Sequence, residues 1–142
     1  MLAARPPSAL AKSGAVLCRC LQRLVGHTKS VNGVAIAPNG HTAVSCAADC
    51  TVKVWRVPDT PLERGTAQQD VHAEAELLGQ HAFAGIDYHY SKDTFATCGG
   101  AVDIWDAQYS EPVQTFNWGS ETVTAVRFNP VRRVHCASLC LC

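Results

Sequence analysis

A segment that recurs along this chain constrains its fold more than any other sequence feature. Similar stretches open at Gly26, Gly79 and Gly119, so successive openings lie 53 and 40 residues apart. Recurrence at spacings of about 20–50 residues is typical of proteins built from stacked repeats, in which each unit buries its apolar face only against its neighbours. The sequence therefore predicts a modular repeat fold rather than a single closed core.

Each stretch contains short runs rich in Val, Ile, Thr and aromatic residues, and Pro, Asn and Gly separate these runs. Runs of this composition are typical of β-strands. Four antiparallel strands followed by a similar set is the arrangement of propeller blades. We therefore predict an all-β chain, a partial β-propeller with two four-stranded antiparallel blades and the start of a third. The predicted strands cover residues 31–37, 43–47, 51–56 and 75–79 in the first blade, and 83–90, 94–98, 101–105 and 113–118 in the second.

The predicted organisation has four parts. Residues 1–20 form a leader that we predict to be disordered, and their basic composition without acidic residues leaves a targeting peptide open as the alternative. Residues 21–79 and 80–118 form the two repeats, and residues 119–142 form an incomplete third. Because a closed propeller needs at least four blades, we expect the chain to be a truncated form of a longer protein.

The net charge, the lengths of the apolar runs and the spacing of the cysteines indicate which partners and ligands to expect. Twelve Lys and Arg residues balance twelve Asp and Glu residues, so no net charge draws the whole chain to nucleic acid or to an anionic membrane. No run of apolar residues is long enough to cross a bilayer, so we predict no membrane partner. His135, Cys136, Cys140 and Cys142 lie close together but lack the paired C-x2-C spacing of a zinc site. We therefore predict no metal and no cofactor.

The repeat signature identifies the kind of repeat. The first stretch begins with Gly26-His27 and ends at Trp55, and the second ends with Trp105-Asp106. Stretches with these boundaries resemble WD40 repeats. The resemblance implies a β-propeller whose blades bind other proteins.

The WD40 resemblance also implies a hydrogen-bonded network within a blade. The family places a His before the first strand, a Ser or Thr on the second, an Asp in the next turn and a Trp on the third strand. His27, Ser45, Asp49 and Trp55 stand at the matching positions. Such a network stiffens a blade.

Three of these residue types are also the components of a hydrolase triad, which is the enzymatic alternative. No G-x-S-x-G elbow surrounds Ser45, and no strand–elbow–helix pattern supports a nucleophile there. We therefore predict that the chain is not an enzyme and takes no small-molecule substrate.

The second repeat departs from this pattern. Its turn reads Cys98-Gly99-Gly100 without an Asp, and Gln80 stands in the usual His position. We predict that packing is the main support of Trp105, and His81 after a one-residue shift is the alternative source of an imidazole.

One stretch of the second repeat resembles a narrower family. The motifs GID-x-H, FATCG, VDIWD and V-x-FNP, all between Gly85 and Pro130, are similar to those of the suppressor-of-fibrillarin family, the WD repeat and SOF domain-containing proteins. The resemblance implies a scaffold of the small-subunit processome, in contact with its proteins and indirectly with the U3 ribonucleoprotein. It further implies a role in pre-18S rRNA processing in the nucleolus, within the nucleus.

The same resemblance leaves two other functions open. Some members of that family are substrate receptors of cullin-4 ubiquitin ligases, joined through the ligase's adaptor. Such receptors typically carry an Arg two positions after the Trp-Asp pair, where this chain has Gln108 in the second repeat and Pro58 in the first. The chain departs from the receptor pattern in both repeats. The second of these alternatives is a generic WD40 protein-interaction module.

Candidate partner contacts lie in the acidic connection between the blades and on aromatic residues that we predict to be exposed. The alternative is that the acidic residues are merely solvated and that the tyrosines pack within the sheet. The candidates are Asp59, Glu63, Asp70, Tyr88 and Tyr109.

Overall fold

A computed structural model describes residues 20, 22–57, 69–117, 119, 121–130 and 137–140. Within these residues the chain forms β-strands and no helix, so no described helix could cross a membrane. The strands are β1 Gln22–Leu24, β2 Val31–Ile36, β3 Thr42–Ala47, β4 Thr51–Arg56, β5 Gln69–Val71, β6 Ala75–Leu78, β7 Phe83–Tyr88, β8 Thr94–Gly99, β9 Val102–Asp106, β10 Gln114–Phe116, β11 Ala125–Phe128 and β12 Ala137–Cys140.

The first blade is a four-stranded antiparallel sheet in the order β2-β3-β4-β6. The turn between β2 and β3 contains Asn39 and Gly40. The side-chain oxygen of Asn39 accepts hydrogen bonds from the backbone N–H groups of His41 (2.8 Å) and Thr42 (3.1 Å), and Gly40 takes a φ of 74°. Asn and Gly favour turns because each tolerates this local geometry.

The second blade repeats the design in the order β7-β8-β9-β10, again antiparallel. The prediction of an all-β partial WD40 propeller is confirmed, since each four-stranded sheet lies at the place that the repeat predicted. A third, two-stranded antiparallel sheet contains β11 and β12.

Two apolar layers hold the sheets together. The first lies between the blades, where Val44, Cys46 and Val52 of the first blade pack in one cluster with Phe95 and Trp105 of the second. The second layer lies between the second blade and β11, and it includes Cys98, Val102 and Val126. Each layer exists because alternate residues of a strand point to the same face.

Two parts of the fold differ from the sequence prediction. β1 and β5 form a parallel pair, with Arg23 opposite Asp70, which the repeat pattern did not indicate. β12 forms a strand in a region where no strand was predicted. The predicted leader, apart from Cys20, lies outside the described residues.

Candidate functional site

The four network residues of the first blade come from two strands and two loops that meet at one face of the sheet. His27 lies in the loop before β2, Ser45 lies within β3, and Trp55 lies near the end of β4. Asp49 lies in the tight β3–β4 turn, next to Cys50, whose φ is 64°. The antiparallel register places Ala43 opposite Trp55, so the indole reaches diagonally across to Ser45 on the same face.

The structure brings the four side chains into one continuous chain of hydrogen bonds. Nε1 of Trp55 lies 2.8 Å from Oγ of Ser45, which lies 2.7 Å from Nε2 of His27. Nδ1 of His27 lies 3.0 Å from Oδ2 of Asp49. One assignment satisfies every group: the indole N–H donates to Ser45, the Ser45 hydroxyl donates to His27, and Nδ1–H of His27 donates to Asp49.

Asp49 is the acceptor at the end of this chain. Its carboxylate also accepts hydrogen bonds from the backbone N–H groups of Thr28 (2.9 Å) and Thr51 (3.0 Å) and from the Thr51 hydroxyl (2.7 Å). Burial by itself would raise the pKa of Asp49, but the hydrogen bonds from Thr51, Thr28 and His27 outweigh it. The pKa of Asp49 is therefore held well below its ordinary range, and the group is a carboxylate at neutral pH.

The Asp49–His27–Ser45 contacts have the connectivity of a catalytic triad, so access decides what the arrangement can do. Ser45 is only 4% exposed, and its oxygen is engaged by both His27 and the Trp55 indole. The His27 side chain is 5% exposed. A nucleophile must reach a substrate carbonyl, and this hydroxyl faces protein on every side. The geometry supports a structural network.

The second blade retains half of the network, through a residue that the sequence analysis missed. Nε1 of Trp105 donates to Oγ1 of Thr97 at 2.8 Å, so the prediction that packing is the main support of Trp105 was incomplete. Packing also contributes, because the indole stacks on Phe95 with centroids 6.1 Å apart and meets Phe83 edge-on at 6.4 Å. The sequence signal for Thr97 is its position before Cys98, which matches that of Ser45 before Cys46.

His81 does not restore the imidazole of the second blade. Its side chain is exposed and lies over Gly100, where an added Cβ would be 3.0 Å from Cγ of His81. An added Cβ at Gly99 would lie 2.3 Å from the carbonyl oxygen of Ala82. The two glycines therefore permit the loop before β7 to lie close to the β8–β9 turn. They lie at the end of β8 and in the β8–β9 turn, whereas the β3–β4 turn of the first blade carries Asp49.

The repeat-signature residues have local structural roles. Gly26 lies beside the edge of Trp55, and a Cβ there would be 3.5 Å from Cη2 of the indole. Asp106 ends β9, and its side chain accepts a hydrogen bond from the backbone N–H of Gln108 at 2.9 Å while its carbonyl accepts one from Tyr109 at 3.0 Å. Gln108 is consequently presented at the surface of an ordered turn.

The predicted partner contacts separate into three groups. Asp59 and Glu63 lie outside the described residues, and Asp70 and Tyr109 are exposed. The prediction that Tyr88 is exposed was wrong. The residue is only 7% exposed and belongs to the apolar layer between the blades. It lies on the face of β7 that packs against the first blade, its ring lies 5.7 Å from that of Phe95, and its hydroxyl donates to Asp93. Burial, followed by the contact with Asp93, raises the pKa of the Tyr88 hydroxyl.

The buried thiols are also structural. Burial raises the pKa of Cys46 to about 12, and the neighbouring Cys98 adds to the shift. Burial likewise raises the pKa of the Cys98 thiol. Both groups stay protonated at neutral pH, where the thiol is a weak nucleophile and a poor metal ligand. In the part of the chain that the structure describes, no cluster of His, Cys, Asp and Glu side chains could hold a metal ion.

Comparison with known proteins agrees with the repeat found in the first blade. Residues 18–56 match the family described as WD domain, G-beta repeat. The chain is 36% identical over 121 residues to DDB1- and CUL4-associated factor 13 of Xenopus laevis, which covers 85% of this chain and 26% of the relative. It is 40% identical over 106 residues to the protein of that name from Dictyostelium discoideum, covering 74% of this chain and 23% of the relative. The human protein of that name is 34% identical over 112 residues, covering 79% and 24%.

These relatives correct the narrower resemblance inferred from the sequence. They carry the name DDB1- and CUL4-associated factor 13, and not WD repeat and SOF domain-containing protein. The aligned regions of 106 to 121 residues cover most of both blades, so the similarity is not confined to the first repeat. The chain spans about a quarter of the length of the curated relatives that it matches, and what it shares with them is a WD40 protein-interaction module.

Proposed function

We propose that this chain is a non-catalytic WD40 module that associates with DDB1 and, through it, with a cullin-4 ubiquitin ligase. The observation that carries this proposal is the similarity of both blades to relatives named for association with DDB1 and CUL4. The site geometry supports the non-catalytic part, because the triad-like cluster of the first blade is buried and fully hydrogen-bonded.

The surface turn after β9 is the place to test this association. The resemblance to ligase receptors implies an Arg where this chain has Gln108, and the structure gives that residue an ordered backbone through the Asp106 carboxylate. Because the guanidinium group is absent, we expect the contact of this chain with DDB1 to be weak and to be strengthened by Gln108→Arg.

A pull-down with immobilised, purified DDB1 measures this directly. We expect the wild-type chain to be retained above the bead background and the Gln108→Arg chain to be retained several-fold more. Ser110→Arg adds the same charge to the same exposed turn and is the matched control, with retention close to that of the wild type. Wild-type retention at background level, unchanged by Gln108→Arg, would contradict the association.

A processome role is the second candidate function. The motifs FATCG and VDIWD, which suggested it, lie on β8 and β9 of the second blade. This role includes residence in the nucleolus and contact with processome proteins and the U3 ribonucleoprotein. Enrichment of U3 RNA with the tagged chain from nuclear extract would support it, and equal recovery with an untagged control would count against it.

A further inference from the structure

The two blades differ in a residue on the third strand of each sheet. Lys53 in β4 and Asp103 in β9 each lie two residues before the buried tryptophan of their blade. Each has a partner on the outermost strand of its sheet, which is Glu76 for Lys53 and Thr115 for Asp103. The first blade therefore has an ammonium and a carboxylate where the second has a carboxylate and a hydroxyl.

In the first blade the lysine side chain fills the space beside the tryptophan. Lys53 is 6% exposed, and its ammonium donates to the carboxylate of Glu76. A Cβ at Gly26 would lie 3.4 Å from Cδ and 3.5 Å from Cε of Lys53, so the aliphatic stem passes directly beside that glycine. A buried ammonium is tolerated only when a carboxylate pairs with it, and Glu76 meets that requirement.

In the second blade the corresponding space is an open groove of about 430 Å³. Asp103 is too short to fill it, and the Thr115 hydroxyl holds its carboxylate through a hydrogen bond of 2.6 Å. Gly79 also lines the groove, but the Phe83 ring lies directly beside it, so the open space extends along Trp105 instead.

The charge of the groove has one sign. Asp103 and the exposed Glu111 both line it, and the described lining residues include no Lys or Arg. Leu78, 74% exposed, lies on the rim and offers apolar contact to a chain that crosses it. The groove thus combines two carboxylates with the side chains of Trp105 and Leu78, whereas Lys53 in the first blade pairs with the one carboxylate of Glu76 and lies near Trp55.

We propose that this inter-blade groove binds a lysine side chain presented by an extended segment of a partner protein. The stem lies along Trp105 and Leu78, and the ammonium meets Asp103 and Glu111. Lys53 is the internal precedent, because the first blade already buries a lysine near its tryptophan and pairs it with a carboxylate. The site is separate from the turn at Gln108 and does not depend on the association with DDB1.

The probe for this site is a short synthetic peptide, acetyl-Gly-Val-Lys-Val-Gly-amide, titrated into the full ¹⁵N-labelled chain. We expect saturable shifts of the Trp105 indole N–H and Gly79 amide resonances. We expect affinity to fall at least tenfold when the peptide's lysine is Nε-acetylated, because acetylation removes its charge. Equal affinity for the two peptides would overturn the proposal.

Variants of the chain give an independent readout. Asp103→Asn keeps the shape of the side chain and removes its charge, so it should weaken peptide binding about tenfold, whereas Asp70→Asn on the exposed β5 should leave it unchanged. The double variant Asp103→Lys with Thr115→Glu reproduces the ion pair of the first blade, so it should fill the groove and abolish binding. If Asp103→Asn bound within twofold of wild type, or if the double variant still bound, the lysine site would be excluded.

Discussion

At the scale of single residues, Asp49 is the side chain on which the network of the first blade depends. It accepts hydrogen bonds from Thr28, Thr51 and His27, so its removal leaves the buried Thr51 hydroxyl and His27 ring without their acceptor. We expect Asp49→Ala to lower the free energy of unfolding by about 1–3 kcal/mol, measured by urea denaturation. Asp70→Ala, at an exposed carboxylate, is the control and should change it by less than about 0.5 kcal/mol.

The pKa of Asp49 makes stability depend on pH in one direction. The folded pKa lies well below the ordinary value of 3.8, so the unfolded chain binds more protons between the two values. The stabilisation is fully present above pH 3.8 and is lost as the pH falls through the folded pKa. In denaturation experiments between pH 6 and 2, the wild type should lose more stability than Asp49→Asn. Parallel curves for the two proteins would show that Asp49 is not the group responsible.

Cys50 adopts a backbone conformation that favours glycine. Its φ of 64° lies in the left-handed region, where a Cβ meets the following carbonyl. Cys50→Gly removes this strain, and the greater freedom of glycine in the unfolded chain offsets part of the gain. We expect a net stabilisation of up to about 1 kcal/mol, visible as a higher melting temperature. A lower melting temperature would indicate that the Cys50 side chain contributes more than its backbone costs.

At the scale of strands, the close approach of β2 and β7 depends on Gly33. A Cβ there would lie 2.9 Å from Cγ2 of Ile86, 3.1 Å from its backbone nitrogen and 3.2 Å from Sγ of Cys46. Because the backbone of β7 cannot move without disturbing its sheet, we expect Gly33→Ala to cost about 1–3 kcal/mol. Gly85→Ala meets nothing closer than 3.2 Å and should cost less, which calorimetry on both variants would determine.

The strands show what the sequence could and could not predict. Alternating apolar residues and turn residues predicted both four-stranded sheets, because these signals are local. The β1–β5 pair could not be predicted in this way, since it joins residues more than forty positions apart through a short strand, Gln69–Val71, without clear alternation. The burial of Tyr88 could not be predicted either, because alternation assigns a residue to one face of a strand but does not show whether another sheet covers that face.

The hydrogen-bonded network of the first blade could be predicted only in part, because a sequence pattern gives residue positions but not the contacts that strand pairing creates. Its four members in the first blade follow from the family pattern, and the structure places them in contact. Thr51, which donates to Asp49, was missed because it lies two residues after Asp49, at a position that the family pattern does not include. Lys53 and Glu76 were missed because they lie 23 positions apart and the register of β4 with β6 brings them together.

At the scale of the whole molecule, an apolar face of β2 is exposed, whereas the equivalent faces of the later repeats are covered by protein. Three apolar positions of β2 recur at the same spacing in β7 and around β11. They are exposed in the first blade and buried or half-buried in the others. The exposed set is Val31, Val34 and Ile36, and the covered sets are Phe83, Ile86 and Tyr88, and Val123, Val126 and Phe128.

This uncovered face should drive self-association of the isolated chain. Full burial of one such side chain contributes roughly 1.5–3 kcal/mol, so three together are sufficient for weak oligomers at micromolar concentration. We expect Val34→Glu with Ile36→Glu to shift the chain towards monomer in light-scattering measurements, with unchanged circular dichroism. Tyr109→Glu, which adds charge at an exposed residue elsewhere, should leave the oligomers intact. Identical mass distributions for all three proteins would show that another surface mediates association.

The triad-like cluster of the first blade is a structural network that stabilises the blade. A double-mutant cycle between Asp49→Ala and Trp55→Phe tests this most directly, because the hydrogen bonds of Ser45 and His27 link the two residues. We predict a coupling of at least about 0.5 kcal/mol in the free energy of unfolding, as expected for members of one hydrogen-bonded network. Strictly additive effects would contradict the claim.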